Sequence, residues 1–233
     1  MRFSSVEVRW FFDGGLDPDS EVVAWFRNRD TLPAYGTPHP LEWPARARED
    51  TYLVLPGQNA MGIKWRAAAG PDHRGAMLEF KGATALLGTA HRLGPDATGR
   101  VERWMKWSIP ADTVPAEVAG LLDPGALPIN VSVAKSRLVR TIRLSALGHA
   151  AEVPLPEAGA ELDRGLAFEL TRIQVAGDPY WSLGVEAFPD EPTVTDAFDG
   201  VVAQLLSGYP GPALTASNSW SYPGWLQRLV THE

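Results

Sequence analysis

In segment after segment of this sequence, charged side chains recur at even spacing between apolar neighbours. Glu7 and Arg9, Lys64 and Arg66, Glu79 and Lys81, Arg100, Glu102 and Lys106, and Lys135 and Arg137 share one phase, with Val8, Ile63, Trp65, Phe80, Val101 and Ala134 in the other. A period of two is the repeat of a β-strand, whose successive side chains point to opposite faces. A half-buried sheet with a solvated charged face would show the same alternation. The basic residues, however, come in close i, i+2 pairs rather than loosely mixed with Thr, Ser and Glu, which favours a face that lines an interior.

The rest of the chain supplies partners for such strands. Alternation or apolar runs predict strands over 3–12, 50–55, 60–67, 76–81, 100–109, 130–144, 165–175 and 180–188. Turn residues separate them: Asp13-Gly14-Gly15, Pro56-Gly57-Gln58-Asn59, Gly82, and Ala176-Gly177-Asp178-Pro179. Helices are expected at 21–28, where Val22, Val23 and Phe26 form one face, and after Pro110 on Val114, Val118, Leu121 and Leu122. A third is expected on Val194, Phe198, Val201, Val202, Leu205 and Leu206, starting near Thr193 or Thr195. Residues 31–44, with four prolines, read as an irregular loop, and Trp220, Tyr222, Trp225 and Leu226 as a tail that docks on the body. About eight strands in hairpin succession define an α+β, mainly antiparallel fold, with the sheet closed or nearly closed into a barrel and helices outside. No linker or repeat divides the 233 residues, so one domain over 1–233 is expected, with the barrel at about 3–188 and the helix and tail at 189–233.

Charge is distributed unevenly. The formal net charge is −7, yet residues 64–143 hold twelve basic side chains against seven acidic ones, and all four lysines (Lys64, Lys81, Lys106, Lys135) fall there. A basic middle within an acidic chain points to a local anion site rather than a broad nucleic-acid surface. If the charged face lines the barrel, Lys and Arg converge with a few carboxylates, a costly arrangement unless an anion and a metal complete the neutralisation. Oligophosphates meet that demand: Arg and Lys bind phosphate oxygens, and carboxylates hold Mg²⁺ or Mn²⁺ bridging to phosphate.

Seven short motifs, in order, resemble the CYTH domain, or triphosphate tunnel metalloenzyme, family over about residues 3–207. They are Ser5-Val6-Glu7-Val8-Arg9, Gly62-Ile63-Lys64-Trp65-Arg66, Leu78-Glu79-Phe80-Lys81-Gly82, Arg100-Val101-Glu102, Lys135-Ser136-Arg137, Glu169, and Gly184-Val185-Glu186. The resemblance implies an eight-stranded antiparallel barrel with a charged tunnel and hydrolysis of a triphosphate, inorganic or organic, by in-line attack of water. It assigns phosphate binding to Arg9, Lys64, Arg66, Lys81, Arg100, Lys106, Lys135 and Arg137. It assigns Mg²⁺ or Mn²⁺ to Glu7, Glu169 and Glu186, with help from Glu79 or Glu102. The sequence departs from the pattern where Ser5 and Gly184 replace acids and Arg9 replaces a lysine, so the basic half is intact and the acidic half thinned. A non-catalytic module or sensor binding a nucleotide or polyphosphate is the alternative function.

Other chemistries lack residues. Cysteine is absent, which removes thiolate metal sites, catalytic thiols and disulfides. His39, His73, His91, His149 and His232 show no metal-ligand spacing and read as surface residues, and no nucleophile elbow, P-loop or dinucleotide fingerprint occurs. Trp104 and Trp107 could stack bases but read first as core. Residues 1–9 have no signal-peptide pattern and no apolar run spans a bilayer, so a cytoplasmic protein without membrane partners is expected.

Overall fold

The computed structural model describes residues 2–28, 31–34, 40–66, 75–121, 126–154 and 162–231. Nine strands run in chain order: β1 (Arg2–Asp13), β2 (Arg48–Leu53), β3 (Met61–Arg66), β4 (Met77–Arg92), β5 (Thr98–Pro110), β6 (Asn130–Leu144), β7 (Ala150–Val153), β8 (Gly165–Val175) and β9 (Asp178–Phe188). They form one antiparallel sheet in the order β2-β3-β4-β5-β1-β9-β8-β6-β7, and β2 also pairs with β6. That last pairing, Arg48↔Lys135 to Leu53↔Asn130, closes eight strands into the expected barrel. The ninth, β7, lies on the same edge of β6 further along, from Thr141↔Val153 to Leu144↔Ala150.

The apolar phase of the strands faces outward. Val6, Val8 and Trp10 of β1, Leu166, Phe168 and Leu170 of β8, and Leu183, Val185 and Ala187 of β9 are buried against helices α1 (Glu21–Arg27) and α3 (Pro192–Leu205). Helix α1 contributes Val22, Val23 and Phe26, and α3 contributes Val194, Phe198, Val201, Val202 and Leu205, the faces that their spacing predicts. The main core therefore sits between barrel wall and helices, and the barrel interior is left to the charged phase.

A second apolar cluster fills one end of the interior. Helix α4 (Tyr222–Thr231) inserts Trp225 and Leu226 among Phe11, Tyr52, Val133, Ile173 and Val175. Trp225 stacks on Phe11 at 4.3 Å between ring centroids. The tail thus docks as expected, and it does so inside the strand ring, as a cork. Gly62 permits the entry, since a Cβ there would meet the Pro223 ring at 2.9 Å.

Two expectations need correction. Gly82 does not end β4, which continues to Arg92 along β5 through register shifts at Ala83/Ala85, Leu86/Gly88 and Gly88/His91. The pairing with β5 extends a segment whose Ala and Gly content hides it. After Pro110 a 3-10 turn (Ala111–Thr113) precedes a five-residue helix α2 (Ala116–Gly120) with no buried side chain; Val118 and Leu121 are exposed, and Leu122 lies outside the described residues. Helix α3 starts at Pro192, next to Thr193 as expected, with Glu191 as its N-cap residue, and Thr195 Oγ1 donates to the Glu191 carbonyl. Helix α3 is the amphipathic helix read from the sequence.

Candidate functional site

Arg48, Asp50 and Tyr52 of β2, Lys64 and Arg66 of β3, Glu79 and Lys81 of β4, and Lys135 and Arg137 of β6 all project from the inward phase of their strands. Among the described residues a cavity of about 290 Å³ is lined by nine basic and five acidic side chains, with Tyr52, Trp104, Trp220 and Tyr222 between them. All eleven residues of the predicted charged face line it, Glu7, Arg9, Lys64, Arg66, Glu79, Lys81, Arg100, Glu102, Lys106, Lys135 and Arg137, together with Glu169 and Glu186. Its volume matches the lower end of small-molecule sites, about 300–1,000 Å³.

One wall is strongly cationic. Asp50 is fully buried, and its Oδ2 accepts from Arg48 Nη2 at 2.9 Å and lies 3.4 Å from Lys64 Nζ and 3.5 Å from Lys135 Nζ. Glu79 meets Lys64 Nζ at 2.8 Å and Arg66 Nη2 at 3.0 Å. Two carboxylates therefore share four cations. Burial opposes ionisation of Asp50, but Lys64, Lys135 and Arg48 outweigh it and hold its pKa well below the usual range. Lys135 is almost fully buried; its ammonium donates to Tyr52 Oη and lies 3.7 Å from the Tyr222 ring centroid. Burial drives its pKa well down despite Asp50.

Beside this wall, a row of residues in direct register crosses three strands: Arg9 of β1, Gly184 of β9 and Glu169 of β8. The Arg9 side chain passes over Gly184, where a Cβ would lie 2.7 Å from its Cζ, and donates to Glu169 Oε2 at 2.7 Å and Ser182 Oγ at 3.2 Å. Arg137 Nη1 donates to the other oxygen, Glu169 Oε1, at 2.6 Å. Burial disfavours the Glu169 carboxylate, yet Arg137 and Arg9 reverse this and keep it ionised far into acid.

A second row, Glu186 of β9, Glu7 of β1 and Glu102 of β5, is also in direct register. Lys81 Nζ bonds Glu7 and lies 3.9 Å from Glu186, and Ser5 Oγ donates to Glu7 at 2.5 Å. Burial and the neighbouring Glu7 charge raise the Glu186 pKa, while Lys81 and its hydrogen-bond donors lower that of Glu7 against its own burial. Glu102 turns to Trp104 Nε1 at 3.2 Å and Arg100 Nε at 3.8 Å, and burial raises its pKa.

These contacts bear on the divalent metal that the family resemblance implies. Glu7 is engaged by Lys81 and Ser5, Glu169 by two guanidinium groups, and Glu102 by Trp104 and Arg100. Among the described residues no three carboxylate or imidazole groups come together as a metal-binding cluster. In this arrangement Glu7, Glu169 and Glu102 each turn to donors of the protein and the four carboxylates do not converge on one point, so Glu7, Glu169, Glu186 and Glu102 do not form a fitted divalent-ion site.

The sequence reading passed over Arg48, Asp50 and Tyr52 as site residues. Their alternation is the same signal, missed because the strand was started at Asp50 and Asp50 was not set against the basic pairs. Trp220, Ser221, Tyr222 and Pro223 also line the cavity, and only the fold of the tail brings them there. Trp104 is buried and borders the cavity, with Lys81 Nζ 5.3 Å from its ring, whereas Trp107 is exposed on the outer wall. His91 pairs with Asp199 at 2.8 Å away from the cavity, and His149 is exposed; His39, His73 and His232 lie outside the described residues.

Antiparallel barrel and charged lumen define the class to which the chain can be compared. No family model and no curated protein matches it. Among solved structures, one similar chain is a conserved hypothetical protein from Pyrococcus furiosus, with a TM-score of 0.39 and 15% identity over 91% of this chain and 99% of that one. Among the described residues no helix is long and apolar enough to cross a membrane.

Proposed function

We propose that the lumen binds a small phosphate-rich anion of the triphosphate class. One observation carries this reading: Arg48, Lys64, Arg66 and Lys135 crowd a largely buried wall with only Asp50 and Glu79 to neutralise them. Excess positive charge in a largely buried cavity is costly until an anion joins it. Oligophosphate oxygens accept several charge-assisted hydrogen bonds at once, each contributing about 1.5–3 kcal/mol. Buried polar atoms at the wall support the same reading, because Arg66 Nε and Tyr222 Oη have no protein hydrogen-bond partner among the described residues.

Calorimetric titration with tripolyphosphate, ATP and thiamine triphosphate tests the proposal. Saturable heat with at least one, abolished or strongly reduced in Lys64→Ala and Arg66→Ala, is the expected result. Absence of heat and of any thermal shift with all three rejects it. Assay of orthophosphate with Mg²⁺ or Mn²⁺ present separates the two functional readings. Release at a steady rate makes the protein a phosphohydrolase, and binding without release makes it a module or sensor.

A further inference from the structure

Every carboxylate expected to hold a metal faces a cation of the protein, and one of those cations has a cradle made for it. Arg9 reaches from β1 over the bare backbone of Gly184 to Glu169 on β8. Its guanidinium is fixed on several sides: by Glu169 at 2.7 Å, by Ser182 Oγ at 3.2 Å, by the glycine beneath, and by the Tyr222 ring, whose centroid is 5.3 Å from Cζ. Arg137 clasps the opposite oxygen of the same carboxylate. Two guanidinium groups thus share one negative charge and retain N–H groups beyond those bonded to Glu169.

We propose that Arg9 serves in this lumen as a built-in counter-cation bridging Glu169 and the bound anion, so that phosphate-rich ligands bind without any divalent metal. The inference rests on the anion-binding reading above and adds to it the chemical form of the ligand: the free polyphosphate, not its metal chelate. A bridging metal ion joins a protein carboxylate to phosphate oxygens through one positive centre. A guanidinium held by a carboxylate on one edge offers its other N–H groups to an oxyanion in the same way, with fixed planar geometry and no exchange of inner water. Preorganisation matters as much as charge. Because Glu169, Ser182 and Tyr222 hold Arg9 in advance, little side-chain freedom remains to be lost on binding. Gly184 is the position that permits this, since any Cβ there would occupy the path of the guanidinium.

Isothermal titration of the intact protein with sodium tripolyphosphate, in EDTA and in Mg²⁺, decides the matter. Binding in EDTA at least as tight as in Mg²⁺ is expected. Binding that appears only with Mg²⁺ overturns the proposal and leaves the anion-binding reading standing; no binding in either buffer rejects that reading, and the proposal with it. Arg9→Ala in EDTA should weaken the complex by about 10- to 100-fold, the loss of one charge-assisted contact. Gly184→Ala, which keeps every charge and displaces only the guanidinium, should weaken it in the same direction and covers the case in which Arg9→Ala does not fold. Wild-type affinity in a folded Gly184→Ala or Arg9→Ala protein contradicts the role of Arg9.

Discussion

Asp50 shows what a single residue does here. Its carboxylate is fully buried and is the shared partner of Arg48, Lys64 and Lys135. Removing one member of a buried charged group leaves the others uncompensated, which costs about 3–5 kcal/mol. Asp50→Asn should lower stability by that amount, read from urea unfolding at neutral pH. The acid limb should change too. The pKa values of Asp50 and Glu169 are lower in the folded than in the unfolded chain, so the folded state binds fewer protons. Their stabilisation is complete above the unfolded carboxylate pKa, about 4, and is lost as pH falls through that value toward the folded one. The contribution of Asp50 and Glu169 to the wild-type urea midpoint should therefore be level between neutral pH and about pH 5 and drop below about pH 4, while Glu186 and Glu102, whose pKa values are raised, act in the opposite sense as pH falls; in Asp50→Asn the drop below about pH 4 should be shallower than in the wild type. Residue identity was readable for Lys64, Arg66 and Lys135 because their alternation is regular, but the pairing that sets their pKa values joins β2, β3 and β6, which are distant in sequence.

Among the elements, the tail is the one whose role the sequence hid. Trp220, Tyr222, Trp225 and Leu226 announce docking by their apolar surface, yet nothing local says that α4 enters the barrel. It does so because the interior changes character along its length: Phe11, Val133, Ile173 and Val175 sit in the inward phase beyond the charged zone and need an apolar partner. Trp225→Ala should cost about 3–5 kcal/mol, the usual range for truncating a buried aromatic, and should accelerate hydrogen exchange over 220–231 and the facing ends of β1 and β8. Unchanged stability would show that α4 does not support the barrel. The strands were legible by contrast. All eight barrel strands were predicted from period two and turn residues, whereas β7, with only Ala-Ala-Glu-Val, has too few residues to show a period. β4 was cut short because Gly82 and the Ala-rich stretch after it lack strand propensity and are extended only by pairing with β5.

At the scale of the whole molecule the charge is sorted by surface. Among the described residues, nine of the 21 basic side chains line the cavity with five of the 28 acidic ones, which leaves twelve basic and 23 acidic residues elsewhere in the chain. A lumen with more basic than acidic side chains, in a chain that is acidic elsewhere, favours small anions over large ones. Affinity for tripolyphosphate should fall as ionic strength rises, and duplex DNA should show no retardation in a native gel under conditions where tripolyphosphate binds. Retardation of DNA would mean that the exterior, not the lumen, is the anion surface. The sequence by itself determined the eight barrel strands in outline, their two-faced alternation and the faces of α1 and α3, because each is set by spacing within a few residues. It also fixed which side chains share a phase. It did not determine that β2 pairs with β6 and closes the ring, for that pairing joins residues some eighty positions apart. Closure is what turns a charged face into an enclosed lumen, sets Glu169 against two arginines across Gly184, and pairs each carboxylate with a cation instead of leaving it free. Those are properties of distance and burial, and only the folded chain has them.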